Sequence, residues 1–173
     1  LLQEQQAIFD NAPNGMSYTS DGVILKANRR LAEYLGCQVQ DLVGQSAASV
    51  LFDSDESFLA FGRAVAPALQ AGKDVHIEWE FVKKDGSKFM AKVSGQGIRL
   101  PGYERVAVWV YEDIAARKAM EASMRQSEER LRTVLENSPA GVSISTEDGQ
   151  AIFSNRRLAQ LLDTTPEHIA AIA

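Results

Sequence analysis

Three side chains that could take part in acid–base chemistry alternate along one short segment. His76, Glu78 and Glu80 are each separated by one apolar residue. An imidazole beside two carboxylates is a set of groups that can move protons. The alternation, however, predicts a β-strand with these three residues on its water-facing side. Such groups commonly pair across strands, here with Lys88 or Lys92, so an enzyme using them is the remote alternative.

The composition disfavours several other chemistries and partners. Cys37 is the single cysteine, which excludes an internal disulfide, a cysteine-based zinc site and a CxxC redox motif. The net charge is -5, which disfavours nucleic acid as a partner. No apolar run is long enough to span a bilayer, so we expect no direct membrane insertion of this segment. We expect a cytoplasmic location, either free or as the cytoplasmic part of a membrane-anchored receptor.

One segment of the sequence recurs in similar form later in the chain. The segment from Asn11 to Gly36, NAPNGMSYTSDGVILKANRRLAEYLG, recurs as NSPAGVSISTEDGQAIFSNRRLAQLLD between Asn137 and Asp163. The spacing is far longer than the roughly 20 to 50 residues of solenoid and propeller repeats. We therefore interpret the chain as one complete domain followed by the opening of a second, taken from a longer tandem array.

Turn signals and apolar spacing divide the first half of the domain into short elements. Asp21-Gly22 favours a tight hairpin turn, Asn28 is a plausible helix N-cap, and Gly36 ends that helix. The predicted elements are a helix over 1–10, strands over 15–20 and 23–26, and helices over 29–35, 38–43 and 55–71.

The second half of the domain reads as sheet. The segment DVHIEWEFVKK alternates apolar and polar residues, and Lys84-Asp85-Gly86-Ser87 is typical of a two-residue hairpin. Strands over 88–98 and 105–113 follow, separated by a loop with Pro101-Gly102. The pattern predicts an α+β fold, with one five-stranded antiparallel sheet and short helices on one of its faces.

In this order, these motifs resemble a PAS domain. The resemblance covers Asn11 to about Lys118 and, again, Asn137 to about Ala171. It depends on the repeated opening, the turn DLVG, the hairpin WEFVKKDGSKF and the closing EDIAARK. In the closing motif, Ala115 stands where the family usually has threonine.

The resemblance implies a sensory or regulatory module of a bacterial-type signalling protein. Such modules precede output domains such as histidine kinases or diguanylate cyclases, whose sequence motifs are not found in this stretch. His168 lies opposite Asp41 in the repeat, so we interpret it as a surface residue rather than a phosphoacceptor. The expected domains are an N-terminal helix (1–10), a first PAS domain (11–113), a linker (114–136) and the N-terminal part of a second PAS domain (137–173).

The linker over 114–136 lacks glycine and proline and is rich in helix formers. Its apolar residues step by four and three, which is typical of a two-stranded coiled coil, although Ser127 weakens the seam. We expect a homodimer through this seam; the alternative is a helix that packs on its own domain. The seam residues are Met120, Met124, Leu131 and Val134, and the residues expected to pass a signal into the helix are Asp113, Ile114 and Arg117.

The resemblance places any ligand between the helices and the inner face of the sheet. A flavin of the cysteine-adduct type and a haem are not expected, because Cys37 is in the wrong setting and the helix over 55–71 has no histidine. No metal site is expected, and a small organic ligand of unknown identity stays open. The alternative is a ligand-free dimerisation or spacer module with a fully packed core. The candidate pocket residues are Tyr18, Phe58, Phe61, Trp79, Phe81, Met90, Trp109 and Tyr111.

Overall fold

The computed structural model of the chain describes residues 2–103, 105–166 and 168–169. It divides into two compact units, Leu1–Arg117 and Lys118–Ala173, called here the first and the second unit. Of the sequence predictions, the start of the N-terminal helix at Leu1 and the last four positions of the second PAS domain, 170–173, lie outside the described residues.

The first unit contains an N-terminal helix, two short strands, a group of helices and three longer strands. A long helix, α5, begins in this unit and continues into the second, which adds a short hairpin and one helix. The elements are α1 (Leu2–Asp10), β1 (Gly15–Ser20), β2 (Val23–Ala27), α2 (Arg29–Leu35), α3 (Ala47–Leu51), α4 (Asp55–Gln70), β3 (Val75–Val82), β4 (Lys88–Ile98), β5 (Val106–Asp113), α5 (Ala115–Glu136), β6 (Ser143–Ser145), β7 (Ala151–Ser154) and α6 (Arg156–Leu161).

The sheet of the first unit has the strand order β2-β1-β5-β4-β3, and all of its pairings are antiparallel. The predicted α+β class, the five-stranded sheet and the long helix after it are confirmed. Strand β5 is last in the chain order of the sheet but lies at its centre, between β1 and β4. The last strand before α5 therefore contacts both halves of the sheet.

The predicted turn and cap signals of the opening are present. Asp21 and Gly22 have φ angles of 48° and 80°, in the left-handed region that a tight hairpin turn requires. Asn28 caps α2, because its side-chain oxygen accepts a hydrogen bond from the backbone N–H of Leu31 at 3.0 Å. Gly36 ends α2 with φ 67°.

The segment after α2 differs from the prediction. The expected helix over 38–43 is only a 3-10 turn, Val39–Asp41, and the helix α3 had no sequence prediction. The backbone between them is bonded to the first hairpin instead of continuing a helix. The N–H of Gly44 donates to the carbonyl of Ile24, and the N–H of Ala47 donates to that of Gly22, both at 2.8 Å. Tertiary hydrogen bonds thus override the local helical pattern.

The hairpin between β3 and β4 has a longer loop than the two residues predicted. The N–H of Lys83 donates to the carbonyl of Ser87 at 2.7 Å, so three residues lie between this pair. Gly86 supplies the left-handed conformation there, with φ 82°. This is the three-residue alternative in which a glycine follows a tight turn.

The core of the first unit lies between the helices and one face of the sheet. Leu35 of α2, Phe61 of α4 and Phe81 of β3 belong to one buried cluster. Phe81 is fully buried, and its ring lies against the rings of Phe61 and Tyr111. The sheet face that carries this cluster is called here the inner face, and the opposite one the outer face.

Candidate functional site

A cavity of about 610 Å³ lies between the inner face and the helices α3 and α4. Ligand pockets in proteins typically have volumes of about 300 to 1,000 Å³. The wall on the helix side is largely apolar, with Phe58, Val65 and Leu69 of α4. On the sheet side it includes Trp109 and Tyr111 of β5. The space is therefore large enough for a small organic molecule and chemically suited to an apolar one.

Five of the eight predicted pocket residues line this cavity: Phe58, Phe61, Phe81, Trp109 and Tyr111. A sixth, Trp79, lies on the inner face beside it. The Trp79 ring packs edge-on against Phe61, with ring centroids 5.4 Å apart. Trp79 thus contacts a residue of the cavity wall without lining the cavity itself.

The other two predicted pocket residues, Tyr18 and Met90, do not line the cavity. Successive residues of a strand point to opposite faces, and the preceding residues, Ser17 and Phe89, are the buried ones. The Tyr18 ring instead contacts the ring of Phe9 in α1, with centroids 5.5 Å apart. An error of one residue in the phase of a strand moves its side chain to the other face.

Two features determine the position of Trp109: one hydrogen bond, and the space left by a glycine on the neighbouring strand. Its indole N–H donates to Thr19 Oγ1 at 2.8 Å. Its ring lies over Gly95 of β4, where an added Cβ would be only 2.3 Å from the ring carbon Cζ3. Sequence reasoning missed Gly95, although a glycine inside a strand often marks a close approach of another group.

Tyr111 forms a buried, uncharged part of the cavity wall. Its hydroxyl is 3.2 Å from Ser17 Oγ. Burial raises the pKa of Tyr111 to about 12, and the hydrogen bond between Tyr111 and Ser17 opposes this only in part. The phenol therefore stays neutral at physiological pH.

The charged groups of the cavity lining lie at one end of it. Arg99 follows β4, Arg105 precedes β5, and Asp21 occupies the turn between β1 and β2. All three side chains belong to exposed residues. The cavity thus has an aromatic interior and a charged rim.

The start of α5 is attached to the sheet at three predicted transmission residues. Ile114 is buried, and its N–H donates to the carbonyl of Met90 at 3.1 Å. Asp113 Oδ1 accepts from the N–H of Ala115 at 2.8 Å, which satisfies one of the free donors at the helix start. Arg117 forms an ion pair with Glu78 at 2.9 Å. These contacts connect the first turn of α5 with β3, β4 and β5.

The predicted dimer seam is exposed along α5, in which no described residue is buried. Met120 and Met124 have 75% and 66% of their surface exposed, and Leu131 and Val134 have 58% and 63%. Within the single chain, this apolar stripe therefore faces solvent.

The three candidate acid–base residues lie on the outer face, away from the cavity. His76 Nδ1 is 3.1 Å from Ser94 Oγ, Glu78 pairs with Arg117, and Glu80 accepts from Lys88 at 2.8 Å. The anticipated cross-strand pairing with Lys88 is present. The structure does not bring these groups together in a pocket.

Cys37 does not line the cavity. It is half-buried and packs against the core cluster. Burial raises the pKa of its thiol, and the nearby Asp41 carboxylate raises it further. In the described part of the chain, no group of three His, Cys, Asp or Glu residues could hold a metal ion, and no helix is long and apolar enough to cross a membrane.

A sheet with helices and a cavity on one face agrees with the protein family whose profiles match this chain. The family profile described as "PAS fold" matches residues 3–114, more than half of the chain, and a second profile, "PAS domain", matches residues 129–172. The chain therefore belongs to the PAS family.

Among curated proteins, the chain is similar to the sensor protein TdiS of Thauera aromatica. The two are 21% identical over 198 residues, which cover 92% of this chain and 36% of that protein. The chain thus spans about a third of the length of this relative.

Two solved structures illustrate the structural likeness. One is the PAS domain, in complex with ethanol, of a LuxR-family transcriptional regulator from Burkholderia thailandensis. It has a TM-score of 0.58 and 27% identity, and the match covers 64% of this chain and 96% of that one. The other is the PAS domain of nitrogen regulation protein NR(II) from Vibrio parahaemolyticus, with a TM-score of 0.54, 21% identity, and coverage of 64% and 97%.

Proposed function

We propose that the first unit is a ligand-dependent sensory module that acts on its output through α5. The observation that carries this proposal is the cavity of about 610 Å³, two of whose wall residues, Trp109 and Tyr111, belong to the strand that leads into α5. The same short strand therefore forms part of the cavity wall and leads directly into the helix.

A ligand in the cavity would act first on Trp109. The indole donates a hydrogen bond to Thr19 and lies over Gly95, so a ligand that displaces it changes the contacts of β5 with both neighbouring strands. Asp113 and Ile114 follow a few residues later. Small shifts of a packed strand can become a changed position of the attached helix. Such a shift would alter the contacts of Ile114 and the Arg117–Glu78 pair.

The ligand class is a small, largely apolar organic molecule. The aromatic wall supports this class, and so does the similarity to a PAS domain crystallised in complex with ethanol. The similarity to a sensor protein supports the signalling role. We propose in addition an output domain of the same polypeptide, such as a histidine kinase or a diguanylate cyclase. We further propose a cytoplasmic location, and that residues 137–173 begin a second PAS module.

A ligand-free spacer with a packed core is the second candidate. It is favoured by the contacts among the aromatic rings around the cavity. Phe52 packs against Phe58, Phe61 and Phe81 with centroid distances of 5.3 to 5.5 Å. Rings that already contact one another need no ligand to be stable.

The variant Gly62→Leu distinguishes the two candidates. Gly62 lies within α4 and lines the cavity, and a Cβ at this position would meet nothing within 4 Å. A leucine there adds volume to the cavity wall and should also favour the helix. The matched control is Ala64→Leu, at an exposed position of the same helix.

The measurement is a fluorescence titration with the neutral apolar probe N-phenyl-1-naphthylamine. We expect the wild type and Ala64→Leu to bind the probe alike, and Gly62→Leu to bind it about tenfold more weakly, because most of a drug-sized ligand's surface is buried in such a site. If the wild type does not bind the probe, or Gly62→Leu binds it equally well, the sensory proposal is overturned in favour of the spacer.

We also propose that two copies of the chain associate through the α5 seam. Four exposed apolar residues at coiled-coil spacing support this proposal. Leu131→Glu should shift the chain towards monomer in sedimentation velocity, because it places a charge within the seam. Gln126→Glu, which adds the same charge beside the seam, should not. Equal behaviour of the two variants would remove the seam from the interface.

A further inference from the structure

Two arginines face each other across one hairpin at the rim of the cavity. Arg99 directly follows Ile98, the last residue of β4, and Arg105 directly precedes Val106, the first residue of β5. Ile98 and Val106 are paired in the sheet, so the two arginines extend the same hairpin on its two sides. Both line the cavity.

These guanidinium groups have no ion-pair partner among the residues that the structure describes. Three of the four other arginines of the first unit do form ion pairs: Arg29 and Arg30 pair with Glu33, and Arg117 pairs with Glu78. Like charges that face each other across a hairpin are unfavourable. An anion between them would relieve this repulsion.

The other described residues of the cavity lining do not balance the charge of both arginines. Asp21 is the one acidic residue among the described lining residues, against the two arginines. Tyr111 stays protonated, because burial raises its pKa to about 12. Among the described lining residues, positive charge therefore exceeds negative charge at the rim, next to an aromatic interior.

We infer that the cavity takes an amphiphilic ligand, whose apolar body lies against the aromatic wall and whose single anionic group is bound at the rim by Arg99 and Arg105. This inference rests on the proposed ligand-binding function and refines its ligand class, since it adds one anionic group to the largely apolar molecule. A guanidinium presents two parallel N–H donors, which match a carboxylate, sulfonate or phosphate oxygen pair. The arginines then determine the orientation of the ligand, with its charged end towards solvent.

The test compares two probes that share one aromatic body. N-phenyl-1-naphthylamine is neutral, and 1-anilinonaphthalene-8-sulfonate adds a sulfonate to the same ring system. Both are titrated into the full chain by fluorescence, for the wild type, Arg99→Gln/Arg105→Gln and the matched control Arg29→Gln/Arg30→Gln. The control removes two exposed arginines from α2, which do not line the cavity.

We expect Arg99→Gln/Arg105→Gln to weaken sulfonate binding by about tenfold or more and binding of the neutral probe by less than about twofold, since charge-assisted hydrogen bonds exceed neutral ones in strength. The Arg29/Arg30 control should bind both probes as the wild type does. Thermal melting of each variant checks that it is folded, and Gly62→Leu checks that the sulfonate probe occupies the cavity.

The possible results separate the inference from the function on which it rests. If the wild type binds the neutral probe in the cavity but the sulfonate loses no more affinity than the neutral probe, the anionic subsite is wrong and the sensory proposal stands. If Gly62→Leu weakens neither probe, the cavity does not bind ligands and both proposals fail. An equal loss of sulfonate affinity in the Arg29/Arg30 control would also overturn the subsite, because it would indicate a general charge effect.

Discussion

The first and second units begin with the same hydrogen-bonding pattern around one buried asparagine. Asn28 Oδ1 accepts from the N–H groups of Met16 and Leu31 at 2.8 and 3.0 Å. Its amide donates to the carbonyls of Phe9 and Asn14, both at 3.0 Å. One side chain thus joins the end of the preceding helix, the following turn, the first strand and the next helix.

Asn155 repeats this arrangement in the second unit. Its Oδ1 accepts from the N–H groups of Val142 and Leu158, both at 2.9 Å. Its amide donates to the carbonyls of Leu135 and Ala140 at 2.8 and 2.9 Å. Leu135 belongs to α5, so the end of α5 takes the place that α1 has in the first unit. Each opening therefore includes the last turn of the helix before it.

The two openings differ in what covers them. Leu35 is 1% exposed, whereas its counterpart Leu162 is 58% exposed. The first unit adds β3, β4 and β5 with the α4 layer, whereas the strands of the second unit's described part are those of the β6–β7 hairpin. Local sequence is thus sufficient for the geometry of the opening, but burial of its apolar side requires the later strands.

We expect the largest difference in stability between substitutions of Leu35 and of its counterpart Leu162. Leu35→Ala should lower the free energy of unfolding by about 2 to 5 kcal/mol, because it leaves a cavity in the core. Leu162→Ala should change it by less than about 0.5 kcal/mol, as surface substitutions do. Urea unfolding followed by circular dichroism measures both. A comparable loss for Leu162→Ala would indicate that a partner surface buries this residue in solution.

Substitution of Asn28 and of Asn155 tests whether the same hydrogen bonds contribute equally to the stability of the two units. Asn28→Ala should cost the first unit about 2 to 4 kcal/mol, because several buried backbone groups lose their partner. Trp79 and Trp109, the two tryptophans, both report on this unit. Asn155→Ala should leave the tryptophan-monitored transition within about 0.5 kcal/mol of wild type.

The local effect of Asn155→Ala should appear in hydrogen exchange instead. The Leu158 amide loses its capping acceptor, so its exchange should become faster. If Asn155→Ala shifts the tryptophan transition as much as Asn28→Ala does, the two units are not energetically separate, and the comparison fails.

Gly95→Ala tests the strand contacts that only the first unit has. The added Cβ would be within 2.3 Å of the Trp109 ring, so we expect a loss of about 1 to 3 kcal/mol from overpacking and a shifted tryptophan emission. Gly97→Ala is the control, because a Cβ there meets nothing within 4 Å. Equal stability of both variants would show that Trp109 moves aside freely.

The smallest effect at moderate pH concerns Tyr111 and Ser17. The pKa of Tyr111 is raised from 10.0 to about 12 in the folded chain. The contribution of this group to the free energy of unfolding is therefore complete below pH 10 and is lost as pH rises towards 12. Between these values, stability should fall by about 1.4 kcal/mol per pH unit from this group. Tyr111→Phe should remove that part of the slope, although it also loses the Ser17 bond. A wild-type slope unaffected by Tyr111→Phe would contradict the assignment.

Strand pairing explains which predictions from the sequence were correct and which were not. The alternation of β3 placed Trp79 and Phe81 on the inner face correctly, because its polar and apolar residues are unambiguous. Tyr18 and Met90 were predicted to line the pocket because the candidate residues are large and mostly apolar. Both are half-buried on the outer face, where Tyr18 contacts α1. Size and hydropathy do not report the phase of a strand whose two faces are both partly covered.

The elements whose hydrogen bonds close within a short stretch of chain follow from local sequence alone. The cap of α2 by Asn28, the hairpin turn at Asp21-Gly22 and the repeat of the opening at Asn155 depend on residues close in sequence. The cavity, in contrast, depends on contacts between residues far apart in the chain. Trp109 bonds Thr19 across 90 residues, and the placement of β5 between β1 and β4 brings it over Gly95. Local propensity cannot specify such contacts, since they exist only after distant strands have paired.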